Sequence, residues 1–397
     1  MSKHKLKRRK PNVAVVTLPS SNVVVEIKLV TFMKVLEPLA GKICAITGRY
    51  PDEPGGKIHI IRVKAFTPGT QLLPRIVRFL LAQPKIVFHL LRISRSIDVV
   101  IFFIGGMTYL LPILVAKLLR KKVVLSATGL DSKSHRQIYD KIPFGLGKTI
   151  PYFVFRVLEG INLLLVDQIA VESASTADFL GLKRYQKKIV VNGGLYINTD
   201  LFTIRKRIAQ RRNLVGYIGR FSGEKGVLNF VRAIPLLTKA PDDTKFIING
   251  DGRQYNQVKN ELEINHLQNK VNLRGWLLHD DELPDHLNEL KLLVLPSYTE
   301  GVPVIVQEAM ACGTPVLATP VGGVPDLIHD EETGFVLENN SPECIARNIL
   351  RALEHPELED IVQNARHLIE QEYTYQPIVE KCRHALDELW NIKKSAG

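Results

Sequence analysis

The feature that most limits the fold is an alternation. Short runs of apolar, mostly β-branched residues at 13–18, 43–47, 58–63, 99–104 and 123–126 are separated by longer stretches of helical periodicity, at about 26–39 and 73–93. Strands that are apolar on both faces and spaced by helices pack as a parallel sheet covered on both sides. The alternation resumes beyond a basic, poorly apolar connector, residues 205–212, with strands expected at 214–218, 245–249, 271–273, 292–295 and 315–319 and a helix at about 227–237. The expected architecture is α/β. A basic tail covers residues 1–10, a Rossmann-like doubly wound domain 11–205, a second such domain 206–375, and a helix over 376–397 packs at the domain junction and crosses back to the first domain. A chain of 397 residues suits two such cores, and no internal repeat or heptad run competes with this division. In such a pair the ligand is expected where the carboxyl ends of the two sheets face each other across a cleft.

Composition narrows the partners. Residues 1–200 hold 31 Lys+Arg against 12 Asp+Glu, a balance of +19, whereas residues 201–397 stand at −6. A surface of that sign attracts anionic lipid, nucleic acid or phosphorylated ligands, or simply keeps the chain soluble. Nucleic acid is not expected, because no recognition-helix or Arg/aromatic strand motif accompanies the charge. The apolar run from 99 to 119 approaches the length that spans a bilayer, but Gly105-Gly106 and Pro112 divide it into a strand, a loop and a helix. The apolar run after the basic start is too short for a signal peptide. Cys44, Cys312, Cys344 and Cys382 lie far apart without metal-ligand spacing and read as reduced thiols of a cytoplasmic protein. The acidic pairs Asp242-Asp243 and Asp280-Asp281 read as helix caps rather than metal ligands, and no metal site is expected.

Two segments carry chemistry. In the first, a strand at 214–218 runs into Gly219-Arg220-Phe221-Ser222-Gly223-Glu224-Lys225-Gly226. Small residues let backbone N–H groups approach an anion, Arg220 can fork onto two phosphate oxygens and Lys225 adds a mobile charge. Neither the dinucleotide G-x-G-x-x-G nor the P-loop pattern is present. The second is Pro296-Ser297-Tyr298-Thr299-Glu300-Gly301-Val302-Pro303-Val304-Ile305-Val306-Gln307-Glu308. Glu300 is expected in a loop at the crevice and Glu308 about one turn inside a helix that begins near Val304. Each carboxylate can accept hydrogen bonds from hydroxyls of a sugar or polyol.

Together with Gly250-Asp251-Gly252, Glu308-Ala309-Met310-Ala311, Gly313-Thr314-Pro315-Val316 and Val321-Gly322-Gly323, these segments resemble the family 4 retaining glycosyltransferases of the GT-B fold, the glycosyl transferases group 1. The likeness is specific over residues 214–338 and weaker over 11–200. It implies a hexosyltransferase that uses a nucleotide diphosphate-sugar donor and needs no metal or other cofactor. Arg220 and Lys225 would grip the diphosphate and balance the charge of the departing nucleotide. Glu308 would accept from the ribose hydroxyls. Glu300, with the run Gly301, Val302, Pro303 and Val304 and its backbone N–H groups, would hold the sugar, and Gly219, Gly250, Asp251 and Gly252 would let the chain approach the nucleotide. The configuration at the anomeric carbon would be retained by same-face attack.

The chain departs from the family pattern twice. Where many members carry a Gly pair after the first strand it has Pro19-Ser20-Ser21-Asn22, and where they carry a His it has Thr128, whose hydroxyl can still donate and accept; His135 is the one histidine near that loop. The basic first half, which mixes Lys3–Lys10, Arg75, Arg78, Arg92, Arg95, Lys117 and Arg120-Lys121-Lys122 with Leu, Ile and Phe, implies a lipid or lipid-linked acceptor at an anionic membrane surface, on its cytoplasmic face. Two rivals stand beside this expectation: a catalytically weak, nucleotide-sugar-binding partner subunit, and a GT-B-like epimerase of nucleotide sugars.

Overall fold

The computed structural model describes residues 9–17, 19, 23–50, 56–64, 72–127, 146–237, 241, 243–277 and 282–391. The chain divides into two compact units: Met1–Val171 with Lys183–Leu195 and Ile378–Gly397, and Glu172–Leu182 with Tyr196–Pro377.

The first unit contains β1 (Val13–Val16), α1 (Val23–Leu36), β2 (Ile43–Thr47), β3 (Ile58–Arg62), α2 (Leu72–Ile93), β4 (Val99–Phe102), α3 (Leu110–Leu118), β5 (Lys122–Ser126), α4 (Leu146–Leu165), β6 (Gln168–Val171) and β7 (Ile189–Val191). The short helix α5 (Ala174–Phe179) lies in the chain between β6 and β7 but clusters with the second unit. Seven parallel strands pair in the order β3-β2-β1-β4-β5-β6-β7. Every residue of β1 and β4 is buried, which is what a near-continuous run of Val, Ile and Phe dictates at the centre of a covered sheet. The apolar stretch 99–119 is divided as expected: β4 ends at Phe102, Gly105 takes a positive φ of 73°, and α3 is only nine residues long. No helix among the described residues is long and apolar enough to cross a membrane.

Parallel strands joined by right-handed crossovers fix which face each helix covers. The steps β3 to β4, β4 to β5 and β5 to β6 all run the same way across the sheet, so α2, α3 and α4 share one face. The step β1 to β2 runs the other way and puts α1 on the opposite face. That face is completed by α12 (Tyr375–Asn391): Gln168 donates from Nε2 to the Ala385 carbonyl at 2.8 Å, and Phe32 and Leu36 of α1 meet Cys382 and Leu386 around a small cavity.

The second unit contains β8 (Leu214–Ile218), α6 (Val227–Ala233), β9 (Lys245–Asn249), α7 (Tyr255–Ile264), β10 (Val271–Arg274), α8 (Leu283–Glu289), β11 (Leu292–Leu295), α9 (Val304–Ala311), β12 (Val316–Ala318), β13 (Phe335–Val336), α10 (Pro342–Leu353) and α11 (Leu358–Glu372). Its six parallel strands are ordered β10-β9-β8-β11-β12-β13. Both sheets therefore reverse strand order once, at β1/β4 in the first and at β8/β11 in the second, the doubly wound pattern that opens a ligand crevice outside the carboxyl ends of the strands.

The structure corrects three expectations. The sequence places residues 11–205 in the first domain, but residues 172–182 and 196–205 cluster with the second unit. The reason is specific bonding: Glu172 accepts from the Val302 N–H at 2.8 Å and Asp326 from the Ser175 N–H at 3.0 Å. The segment 205–212, expected as a basic connector, is bonded into the second unit. Arg211 is buried and donates to the carbonyls of Lys206, Leu287, Leu290 and Cys312 and to Thr314 Oγ1, at 2.7–3.1 Å. Asp243 caps no helix; it precedes β9 and accepts from Asn213 Nδ2, while Asp242, Asp280 and Asp281 lie outside the described residues. The four cysteines are buried and free, and burial pushes the thiols of Cys312 and Cys382 up to about 12.

Burial also lowers the Arg211 guanidinium, to about 10, which leaves it charged at neutral pH with every donor group spent on the protein. Replacing Arg211 by Ala strands several buried carbonyls at once. The expected loss is about 3 kcal/mol or more, a fall in Tm of roughly 6–12 °C by thermal melting, with Arg211→Lys recovering only part because one ammonium cannot span the same fork of acceptors.

Candidate functional site

The loops that follow β8 and β11 leave the sheet at its switch point, and they hold the two segments singled out in the sequence. After β8 the chain passes through Gly219 and Arg220, makes a short 3-10 turn at Gly223–Lys225, and enters α6 through Gly226 at a positive φ of 68°. After β11 it runs through Pro296 to Pro303 and enters α9 at Val304. Lys225 and Glu300, 75 residues apart, meet here: Lys225 Nζ lies 2.7 Å from both Glu300 carboxylate oxygens. The Glu300 side chain is only 6% exposed and that of Lys225 19%, so the pair is shielded from water on most sides. An ammonium has three protons. Two are spent on Glu300, and the third remains to reach an anion.

Arg220 is placed differently. Its side chain is 63% exposed and its nearest acid, Glu224, is 3.6 Å away, a contact that water screens. It is free to swing, whereas Lys225 is fixed. The loop between them is pinned from below by Tyr217, whose hydroxyl donates to the Arg220 carbonyl at 3.0 Å. Burial, reinforced by the Glu300 and Glu224 carboxylates, raises the Tyr217 pKa far above its ordinary value, so the phenol remains a neutral donor.

The loop after β9 packs directly on this one. Gly219 N–H donates to the Asn249 carbonyl at 3.0 Å and Phe221 N–H to that of Asp251 at 2.9 Å. Gly250 and Gly252 are also where this loop comes closest to the one that follows β8. Gly250 has φ 145°, and a Cβ there would stand 1.9 Å from the Gly219 carbonyl oxygen, so only glycine fits. Asp251 turns back on the same loop, accepting from the Gly252 N–H at 2.7 Å. Gly322 does the same work for the second segment: at φ 60° its missing Cβ leaves room for the Glu300 carbonyl, which a methyl group would meet at 1.9 Å.

In the second segment the backbone donors are fewer than expected. Val302 N–H is committed to Glu172, and Pro303 has no N–H, which leaves Gly301 and Val304 as donors of that run. Glu308 is the fifth residue of α9 and its side chain is 3% exposed, one turn inside the helix as expected. Two polar side chains that the sequence did not single out flank the centre. Asn249 and Ser297 are fully buried at the carboxyl ends of β9 and β11, and the side-chain polar atoms of both lack a hydrogen-bond partner among the described residues. Asn249 had a visible signal, its place directly before Gly250-Asp251-Gly252; Glu172, 130 residues from its partner, had none. Thr128 and His135 lie outside the described residues, as do Ser20, Ser21 and Asn22. Among the described residues no group of three or more His, Cys, Asp or Glu side chains is arranged to hold a metal ion.

Residues 200–368 match the family model for glycosyl transferases group 1. This stretch is a group 1 glycosyltransferase domain. Among its relatives, an α-D-kanosaminyltransferase of Streptomyces kanamyceticus is 29% identical over 218 residues, covering 53% of this chain and 56% of that one. The capsular polysaccharide biosynthesis glycosyltransferase CapM of Staphylococcus aureus is 26% identical over 266 residues, covering 63% and 68%. The chain spans about half the length of several curated relatives it matches. In three dimensions the likeness is wider. The crystal structure of Anabaena HepE in complex with UDP-glucose superposes with a TM-score of 0.71 at 17% identity, over 95% of this chain and all of that one. The glycosyltransferase domain and the unit that precedes it thus share the GT-B α/β fold.

A double-mutant cycle separates the two charge pairs of the β8 loop. Lys225→Ala and Glu300→Ala should show a coupling of about 1–3 kcal/mol in denaturant unfolding, because either single change leaves a shielded charge without its partner. The same cycle on Arg220 and Glu224 should give under about 0.5 kcal/mol.

Proposed function

We propose that the protein transfers a hexosyl group from a nucleotide diphosphate-sugar to an acceptor with retention of configuration and without a metal ion. The observation that carries this reading is the Lys225–Glu300 pair, held across the β8/β11 switch point inside the glycosyltransferase domain. Support for the donor class comes from HepE, the neighbour of the same fold that holds UDP-glucose, and from the relatives that are themselves glycosyltransferases.

The residues divide the work by their reach. The diphosphate takes the remaining proton of Lys225 and draws in the exposed guanidinium of Arg220, which offers a planar fork to two phosphate oxygens. As Lys225 shares its charge with phosphate, Glu300 is freed to accept from sugar hydroxyls, with Gly301 and Val304 N–H alongside. Glu308 accepts from the ribose. The bond between the anomeric carbon and the β-phosphate oxygen breaks, negative charge grows on that oxygen, and the two cations stabilise it where it develops. The departing phosphate takes the acceptor proton as the acceptor oxygen bonds to the same face of the sugar. The acceptor we assign to this enzyme is a lipid or lipid-linked sugar at the cytoplasmic membrane face, a reading that rests on the +19 balance of residues 1–200.

Thermal shift against UDP-, GDP- and ADP-sugars tests the donor. A matching donor at about 100 times its Kd adds ~2.7 kcal/mol of stability. Glu308→Gln and Lys225→Ala should each weaken that binding by roughly ten- to a hundredfold, the worth of charge-assisted hydrogen bonds, and chelators should leave nucleotide release unchanged. Selective binding without turnover on any acceptor would instead make the chain a donor-binding partner subunit; absence of any shift would end the transferase reading.

A further inference from the structure

Most of the large apolar side chains exposed among the described residues fall on three helices, α2, α3 and α4. These helices cover one face of the first sheet, and α3 packs between the other two, so their outer surfaces are continuous. Each helix presents its apolar residues at helical spacing: Leu81 and Phe88 on α2, Leu111 and Leu118 on α3, Phe153 and Leu164 on α4. Leu118 is 81% exposed and Phe153 and Leu164 are each 65% exposed, far beyond the scattered apolar contacts of an ordinary surface. Burying the other sides of these helices against the sheet does not require this outward stripe.

The charges on the same layer are of one sign. Arg78, Lys85 and Arg92 recur every seven residues along the exposed side of α2, in step with Leu81 and Phe88, and the Arg92 guanidinium rests 5.5 Å over the Phe88 ring. Neither α2 nor α3 contains an acidic residue, and the one acid of α4, Glu159, is buried. Long cationic side chains beside exposed Leu and Phe can lie along an apolar surface and lift their heads into a polar layer. A second copy of this chain fits poorly, because a two-fold contact would set Arg78, Lys85 and Arg92 against their own equivalents.

We infer that the outer face of α2, α3 and α4 docks in the plane of an anionic bilayer, its Leu and Phe side chains entering the acyl boundary and its Arg and Lys side chains meeting lipid phosphates. This rests on the lipid-acceptor reading and deepens it by naming the face that meets the lipid. No step in it requires the donor site.

The test uses the full chain in two forms. Because all four native cysteines are buried, Phe88→Cys carries the one exposed thiol among the described residues and accepts a polarity-sensitive dye at α2; Ile264→Cys, exposed on α7, is the control. With vesicles of phosphatidylcholine containing about a quarter phosphatidylglycerol, in ~0.1 M salt, the dye at residue 88 should shift to the blue and the dye at 264 should not. Flotation with the same vesicles should fall about a hundredfold in affinity for the triple change Arg78→Gln, Lys85→Gln and Arg92→Gln, from about fivefold per cation. Leu81→Glu with Phe88→Glu should abolish it. Both variants alter only exposed side chains, so unchanged melting and an unchanged nucleotide-sugar shift confirm that fold and donor binding are intact. Failure of vesicle binding with donor binding retained overturns the docking face and the membrane acceptor with it, and leaves the transfer from a nucleotide-sugar standing. A blue shift at 264 without one at 88 places the membrane elsewhere and overturns the docking face as well. So does a dimer in sedimentation, without vesicles, that the Leu81→Glu/Phe88→Glu variant dissociates.

Discussion

The second unit is organised around a single ion pair. Lys225 and Glu300 close the gap between the loops that leave β8 and β11, the two strands at which the sheet changes direction. Everything near them serves to make that contact possible. Gly250 lets the β9 loop lie against Gly219, Gly322 gives room to the carbonyl of Glu300, and the neutral hydroxyl of Tyr217 holds the turn between Arg220 and Lys225. A shielded ion pair contributes little net stability, since desolvation offsets most of the Coulomb gain. In the proposed transfer its value lies in fixing two charges, one for the diphosphate and one for the sugar hydroxyls, at the point where the sheet changes direction.

The first unit carries its chemistry elsewhere. Its switch point, at β1 and β4, is built from uncharged strands, and its distinctive groups are cations and exposed Leu and Phe on the helices of one face. The opposite face is closed by α1 and α12. One sheet therefore has a dry side and an amphipathic side. Part of the Lys and Arg excess of the first half lies on that amphipathic side, whereas the acidic second half sets exposed carboxylates in pairs such as Arg232 with Glu261 and Arg351 with Asp330.

The strands that matter to the site were legible because they are short, β-branched and bounded by glycine or proline. Residues 214–218, 245–249 and 292–295 coincide with β8, β9 and β11. Other elements were not. β7 and β13 have three and two residues, too few to show a period, and the short α5 shows no apolar period of its own. The site was legible as residue types but not as contacts. That Lys225 would meet Glu300 follows only once the strand order is known, and that Glu172 would occupy the Val302 amide follows from nothing local. The role of Arg211 was not legible either, because nothing in a run of Arg and Lys singles out the one that the carbonyls of Leu287, Leu290 and Cys312 surround.

The path of α12 bears on how the molecule is made. Its residues from Ile378 onward complete the first unit, although the whole of the second unit lies before them in the chain. On a ribosome the second unit has all its parts as soon as Pro377 emerges. The first, begun at the amino terminus, must wait with the apolar side chains of Phe32 and Leu36 uncovered until Cys382, Leu386 and Leu389 arrive. Synthesis order and folding order are thus reversed, and the amino-terminal half is the one that needs protection during translation.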